Sequence, residues 1–365
     1  MVDLPPLPSF GTQPTTTTLQ FELGQEIGQG QGQNSAVFLA TDVQLETQLA
    51  VKRIPKNNLP PTYFDEARHL YYVRHRHVVE IKYACQDNQY IYLAMPFYRG
   101  GTLQRVLDAR YLTSREIVRY GIEFLCGLHH VHVRNLLHLD VKPNNVLLDD
   151  SDTAALADFG LCRQMDSTGR VLRWYGGYAP HAPPEWNRSS KKVTRAADIY
   201  QAGLTLYRMC AGETEFARQA EAHNVGSDEG ASIRTGAFPE RNRFLEHIPG
   251  RLQKVVSKAL DLNPALRFSN VLEMMNELAL VDESLDWHYQ QGAEWGVGSW
   301  YESGLATKRR VDLSRNGATW EVTAHWVRPT GGQKRFSNFT KSGLTEAAAR
   351  KLVRHALIEK WSNKV

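Results

Sequence analysis

The stretch His138-Leu139-Asp140-Val141-Lys142-Pro143-Asn144-Asn145, followed at a distance by Asp158-Phe159-Gly160, constrains this chain more than any other feature. It gathers a candidate base, a cation able to neutralise phosphate and two hard oxygen ligands into one short segment. The two aspartates lie 18 residues apart, enough for one apolar hairpin through Val146-Leu147-Leu148 and Ala154 to Ala157 that returns the second beside the first. Such a set suits phosphoryl transfer, which needs positioned reactants and positive charge on the phosphate oxygens.

Upstream, Ile27-Gly28-Gln29-Gly30 runs through Gln31-Gly32-Gln33-Asn34 to Ser35-Ala36-Val37-Phe38, a glycine-rich turn between two apolar strands. By itself it reads equally as a flexible hairpin tip. Leu49-Ala50-Val51-Lys52 follows as a strand ending in one lysine, then a helical pattern with Phe64, Ala67, Leu70 and Tyr71 on one face and Glu66 beside it. Tyr90 to Met95 reads as a buried strand, and Pro96 to Gly101 as a connector. Thr113 and Glu116 form a capping-box signature that opens a helix leading to His138.

In this order and spacing the motifs resemble the eukaryotic-type (Hanks-type) serine/threonine protein kinases, across residues 20 to 282. The resemblance implies a bilobal α+β fold. It implies an N-lobe at 21–95, a hinge at 96–101 and a C-lobe at 102–282, with ATP and magnesium as cosubstrate and cofactor. Asp140 would orient or deprotonate the acceptor hydroxyl and Lys142 would neutralise the γ-phosphate. Asn145 and Asp158 would hold magnesium, which favours oxygen ligands. Gly28, Gly30, Ser35, Val37, Ala50, Lys52, Glu66, Met95, Phe97 and Tyr98 would surround the nucleotide, with Glu66 pairing Lys52 and Met95 as gatekeeper. Structural roles fall to His138, to Asp198 beneath the catalytic loop, and to Glu185 of Ala182-Pro183-Pro184-Glu185, whose partner would be Arg267.

Three departures qualify the match. Leu139 stands where the family usually has the arginine that gathers an activation-segment phosphate, so the expected activity does not depend on Ser167 or Thr168. Tyr178 occupies the neighbourhood of a threonine that touches the catalytic pair. The glycine-rich tip carries two extra residues.

At 365 residues the chain calls for more than one core. Residues 1–20, with four prolines and four consecutive threonines, read as a disordered tail. No apolar run approaches the length of a membrane helix, no leader is evident, and Cys85, Cys126, Cys162 and Cys210 occur singly, so a cytoplasmic protein with reduced thiols and no zinc site is expected. Residues 299–365 hold 13 Lys and Arg against 5 Asp and Glu. There Asn316-Gly317 marks a hairpin, Trp320, Val322, Ala324 and Trp326 alternate, and a helical stripe begins near Thr345. This predicts a three-stranded meander with one helix, after a linker at 283–298.

The order is similar to integrase arm-binding and plant ethylene-response-type DNA-binding domains, and more loosely to the end of a double-stranded-RNA-binding domain. That likeness would place Lys308, Arg310, His325, Lys334 and Arg335 against nucleic acid or a protein partner. The bland alternative is a basic domain docked on the acidic kinase region, with its tryptophans in a core. At the level of the whole chain, the alternative to a protein kinase is a nucleotide-sensing scaffold whose basic domain does the work.

Overall fold

The computed structural model describes residues 20–28, 35–56, 73–172, 178–186, 192–227, 230–302, 308–329, 331–359 and 361. The chain divides into two compact units, one of residues 1–59 and 82–97, the other of 60–81 and 98–365. The division falls inside the expected hinge, between Phe97 and Tyr98.

The first unit is an antiparallel sheet of β1 (Phe21–Glu26), β2 (Ala36–Asp42), β3 (Thr47–Pro55), β4 (Tyr83–Gln86) and β5 (Tyr90–Pro96), in the order β1-β2-β3-β5-β4. Alternation along the strands sorts side chains by face. Ala40, Leu49, Val51 and Ala94 pack with Phe21, Tyr83 and Tyr92 on one side. Asp42 closes the β2–β3 turn by accepting from the amides of Gln44 and Leu45 at 3.0 and 2.9 Å, and takes the Tyr83 hydroxyl at 3.1 Å.

Residues 60–81 were expected in the N-lobe but group with the second unit. The reason lies in the described part, where Leu156 N–H donates to the carbonyl of His77 and Val79 N–H to that of Leu156, both at 2.9 Å. The second unit carries α1 (Leu103–Ala109), α2 (Ser114–Val133), α3 (Arg195–Ala211), α4 (Glu213–Ala222), α5 (Ala231–Thr235), α6 (Gly250–Ala259) and α7 (Val271–Ala279). The Thr113–Glu116 capping box is formed at the start of α2. Gly127 of α2 passes so close to the His77 carbonyl that an added Cβ would lie 2.1 Å from its oxygen. Short strands organise the loops between the helices: β6 (Gly101–Thr102), β8 (Val146–Leu148) and β9 (Ala154–Leu156) form one sheet. Two further ladders pair β10 (Arg163–Gln164) with β7 (Leu136–Leu137), and β11 (Val171–Leu172) with β12 (Lys192–Val193).

The C-terminal part corrects the sequence reading. Residues 283–298 are not a linker, because they hold β13 (Trp287–Gln291) and the start of β14 (Gly298–Glu302). The sheet continues through β15 (Lys308–Asn316), β16 (Thr319–Val327) and β17 (Gln333–Arg335), with β18 (Lys341–Leu344) also on β16, so it has six strands rather than three. The helix α8 (Glu346–Ile358) covers one face, over a core of Trp287, Trp300, Val311, Leu313, Val322, Ala324, Val353 and Ala356.

This sheet is continuous with the helices of its unit. The Trp300 indole donates to His247 Nδ1 at 3.3 Å and the Trp295 indole to the carbonyl of Ala211, at the end of α3, at 2.8 Å. Tyr289 meets Tyr111 edge-on at 4.9 Å, and Arg350 pairs with buried Glu246 at 3.0 Å. Arg115 grips Asp286 with two hydrogen bonds of 2.7 and 2.9 Å.

Candidate active site

Within the first unit, cross-strand register gathers the expected nucleotide-binding residues on one face. Val37 lies opposite Lys52, Lys52 opposite Leu93, and Ala50 opposite Met95. Paired residues share a side and so do residues two apart, which puts Val37, Ala50, Lys52 and Met95 together, away from the apolar cluster. Gly28 lies over the same side: a Cβ there would approach that of Val37 to 3.1 Å, and Ile27 N–H donates to the Val37 carbonyl at 2.8 Å. Ser35 directly precedes β2 and Phe97 ends the unit. Gly30 and Glu66 lie outside the described residues.

In the second unit the loop after β7 is held almost wholly by side chains. From His138 to Val141 each backbone N–H goes to one: His138 and Leu139 to the two carboxylate oxygens of Asp198 at 2.9 and 2.7 Å, Asp140 to His138 Nδ1 at 3.3 Å, and Val141 to Gln201 Oε1 at 3.2 Å. Leu139 takes φ +65, a left-handed conformation that removes the loop from any regular ladder, and these side chains supply the bonds a ladder would have given. Asp198 is fully buried and accepts a third bond from His132 Nε2 at 2.7 Å. Burial alone would push its carboxyl up. The His132 hydrogen bond and charge, with His138 nearby, outweigh burial and hold it below the usual range.

His138 donates from Nε2 to the Ala157 carbonyl at 3.0 Å and lies edge-on to Phe159 at 4.8 Å. Burial pushes its imidazole down, consistent with a neutral ring whose Nδ1 accepts from Asp140 N–H.

Asp140 is the centre of the loop. Its Oδ2 accepts from Lys142 Nζ at 2.7 Å and Asn145 Nδ2 at 2.8 Å, while Oδ1, buried, has no hydrogen-bond partner. A carboxylate oriented on one side and open on the other can accept a proton or a hydroxyl. Asn145 has committed its amide nitrogen to Asp140, which leaves its oxygen as a hard ligand atom. Asp158, at φ +61 just after β9, accepts from Gly160 N–H at 3.3 Å. An amide oxygen and a carboxylate fit a magnesium ion that also takes phosphate oxygens. No group of three His, Cys, Asp or Glu suited to a metal occurs among the described residues.

Around this centre Glu185 and Arg267 form a bidentate pair at 2.8 and 2.7 Å. Leu139 is buried with Leu137, Met165, Val171, Val193 and Ala197, and Leu161 and Trp186 pack against them. Tyr178 is 45% exposed and faces the His181 ring at 5.8 Å. Tyr98, where the chain re-enters the second unit, has its phenol pushed up to about 12 by burial and then by Asp149 and Glu80. Sequence reasoning missed His132, His181, Gln201 and Arg208. The signal available was four polar residues on or beside apolar helices that turn out to be buried.

The basic residues of the C-terminal sheet do not form one cluster. Arg310 pairs with Asp312 at 2.8 Å, and His325 lies across from Arg310 and Arg335 on the face away from α8. Lys308 shares that face, whereas Lys334 pairs with Trp326 and belongs to the other. Arg309, Arg350 and Arg354 are drawn to Glu302 and Glu246.

Residues 21–279 match the sequence model of the protein kinase domain, and the chain belongs to that family. It is 28% identical over 265 residues to the serine/threonine-protein kinase PknL of Mycobacterium tuberculosis, covering 70% of this chain and 64% of that protein. It is also 25% identical over 274 residues to a probable serine/threonine-protein kinase of Clostridium acetobutylicum, covering 73% of this chain and 40% of the relative. Human ribosomal protein S6 kinase alpha-2 is 28% identical over 256 residues, covering 68% and 34%. The chain thus spans less than two thirds of the length of these relatives.

Proposed function

We propose that the protein transfers the γ-phosphate of ATP to serine or threonine hydroxyls of protein substrates, with magnesium. One observation carries this reading: Asp140 is fixed through Oδ2 by Lys142 and Asn145 while Oδ1 is left open and buried, as a base or orienter of an incoming hydroxyl requires. In this reading Lys142 neutralises the transferred phosphoryl group, and Asn145 with Asp158 holds the magnesium. Lys52 orients the remaining phosphates, supported by its place on the same sheet face as Val37, Ala50 and Met95. Bound magnesium supplies positive charge to the phosphate oxygens. The relatives' names support serine or threonine as the acceptor.

The test is transfer of labelled γ-phosphate to the protein itself and to a generic basic protein. Asp140→Asn should lower the rate by about 100-fold or more; undiminished transfer would remove Asp140 from its role. A scaffold that only senses nucleotide would bind ATP and transfer nothing.

Activity in this reading does not require a phosphate on Ser167 or Thr168. Leu139 fills the place with apolar packing that ties the loop to the segment at Leu161, Met165 and Val171. Phosphatase treatment should leave the rate unchanged. The docking of the C-terminal sheet favours a fixed extension of the helical lobe, whose open face at Lys308, Arg310, His325 and Arg335 recruits acceptor proteins. Stimulation of the kinase by duplex DNA or RNA, lost in Arg335→Glu, would assign that face to nucleic acid instead.

A further inference from the structure

Val141 sits between Asp140 and Lys142, and its carbonyl, like its N–H, is held from outside the loop. His181 Nδ1 lies 3.0 Å from that oxygen, and Thr205 Oγ1 adds a long contact of 3.5 Å. The other ring nitrogen of His181, Nε2, faces Arg208 Nη1 at 3.1 Å. A guanidinium has donors and no acceptor, so Nε2 must be the accepting nitrogen and Nδ1 must carry the proton that the carbonyl receives. Both partners therefore fix one tautomer of a neutral ring.

Arg208 is 2% exposed, and its own position is determined on every side. It donates to Glu213 Oε2 through Nε and Nη2 at 3.0 and 2.7 Å and to Gln104, and its guanidinium lies 4.6 Å over the Phe216 ring. Glu213 balances the buried charge, so the arginine is a paired cation and not a stray one. His181 is also bound through its backbone, since Gln201 Nε2 donates both to the His181 carbonyl at 3.3 Å and to that of Leu139 at 3.1 Å. His181 belongs to the segment that runs on through Ala182 to Glu185, so these bonds staple that segment to the loop bearing Asp140 and Lys142. Burial, then Arg208 and Lys142, push the imidazole well below its ordinary range, in keeping with the tautomer that the partners require.

We propose that His181, locked by Arg208, is a positioning residue for phosphoryl transfer: it fixes the Val141 carbonyl and with it the spacing of Asp140 and Lys142. The inference rests on the kinase reading above. Because His181 is none of the residues this reading sets around the nucleotide, and both of its ring nitrogens are taken by Val141 and Arg208, its loss is expected to act on kcat and not on KM for ATP.

The two ring nitrogens can be separated by substitution. The amide nitrogen of asparagine can take the place of Nδ1, keeping the donor to Val141. The glutamine amide reaches the place of Nε2, keeping the acceptor for Arg208 and losing that donor. Steady-state kinetics on the full chain, with thermal melts and ATP binding as controls for folding, are expected to show His181→Gln lowering kcat by about tenfold or more at nearly unchanged KM for ATP. His181→Asn should recover most of that loss. Equal losses in both variants, no loss in either, or a change confined to KM for ATP would overturn the proposal. A wild type without transfer would instead refute the kinase reading, so the two failures are distinguishable.

Discussion

From His138 to Val141 the loop bearing Asp140 gives each of its backbone N–H groups to a side chain, while from β13 to β16 the backbone N–H groups pair with backbone in regular ladders and large side chains fill the core. The first arrangement depends on a few atoms: Asp198 alone satisfies three donors and Gln201 bonds to three backbone groups. The second spreads its stability over large buried surfaces such as those of Trp287 and Trp300. With Leu139 at φ +65 this loop adopts a conformation no regular ladder provides, so its order is borrowed from the neighbouring helix bearing Asp198 and Gln201. The cost is fragility to single polar substitutions, whereas the sheet should be vulnerable only where a large side chain is removed.

The largest effect is expected at Asp198. Asp198→Ala leaves two backbone donors and His132 buried without an acceptor, a loss of about 3–5 kcal/mol by analogy with broken buried charged networks. Urea unfolding should register it, with phosphoryl transfer abolished in whatever remains folded. Retention of both would mean that the loop does not depend on this carboxylate.

Trp300→Ala comes next, on the other side of the comparison. It opens a cavity in the sheet core and removes the donor to His247, costing about 3–5 kcal/mol. Denaturation followed by tryptophan fluorescence should show one cooperative transition for the helices and the sheet together. Two separate transitions, or a chain ending at residue 282 that keeps the wild-type melting temperature and kcat, would make the sheet an independent module.

A smaller effect depends on pH. Burial holds the His247 imidazole down at about 4, against the acceptance of its Nε2 proton by the Leu112 carbonyl. The unfolded chain, with an ordinary histidine near 6.5, binds the proton first, so stability is intact above about pH 6.5 and falls as pH drops toward 4, by about 2 kcal/mol at pH 5. Unfolding at a series of pH values should be flatter in His247→Gln than in the wild type; an identical slope would contradict the assignment. The smallest effect belongs to Arg310→Ala. Its pair with Asp312 is 43% exposed on the arginine side and should contribute less than about 1 kcal/mol, so any larger functional change would report on recruitment through the open face.

The same contrast explains what could be read from the chain. The proposed catalytic set was legible because phosphoryl transfer demands particular residue types at short spacing, and Asp140, Lys142 and Asn145 do meet. The bonds of His132 to Asp198, of Gln201 to Val141 and of Arg208 to His181 were not legible, because they join positions from 27 to 66 apart and His132, Gln201 and Arg208 sit on apolar helices where a polar residue has no periodic signature. In the C-terminal region Trp320 to Trp326 announced a strand by strict alternation, and the Asn316-Gly317 hairpin formed with Gly317 at φ +60. Trp287 and Tyr289 carry the same alternation, but over one short strand flanked by Gly292, Gly296 and Gly298, and the segment was read as a linker. Part of the charge excess there is met within the unit, since Arg309, Arg350 and Arg354 face the carboxylates of Glu302 and Glu246, pairings that composition alone does not reveal.

The most direct test of the account compares γ-phosphate transfer by the wild type and by Asp140→Asn at saturating ATP and magnesium, with ATP binding measured in both. Transfer by the wild type, lost by about 100-fold in a variant that still binds ATP, is the expected result. Equal transfer by both, or none by a wild type that binds ATP, would contradict it.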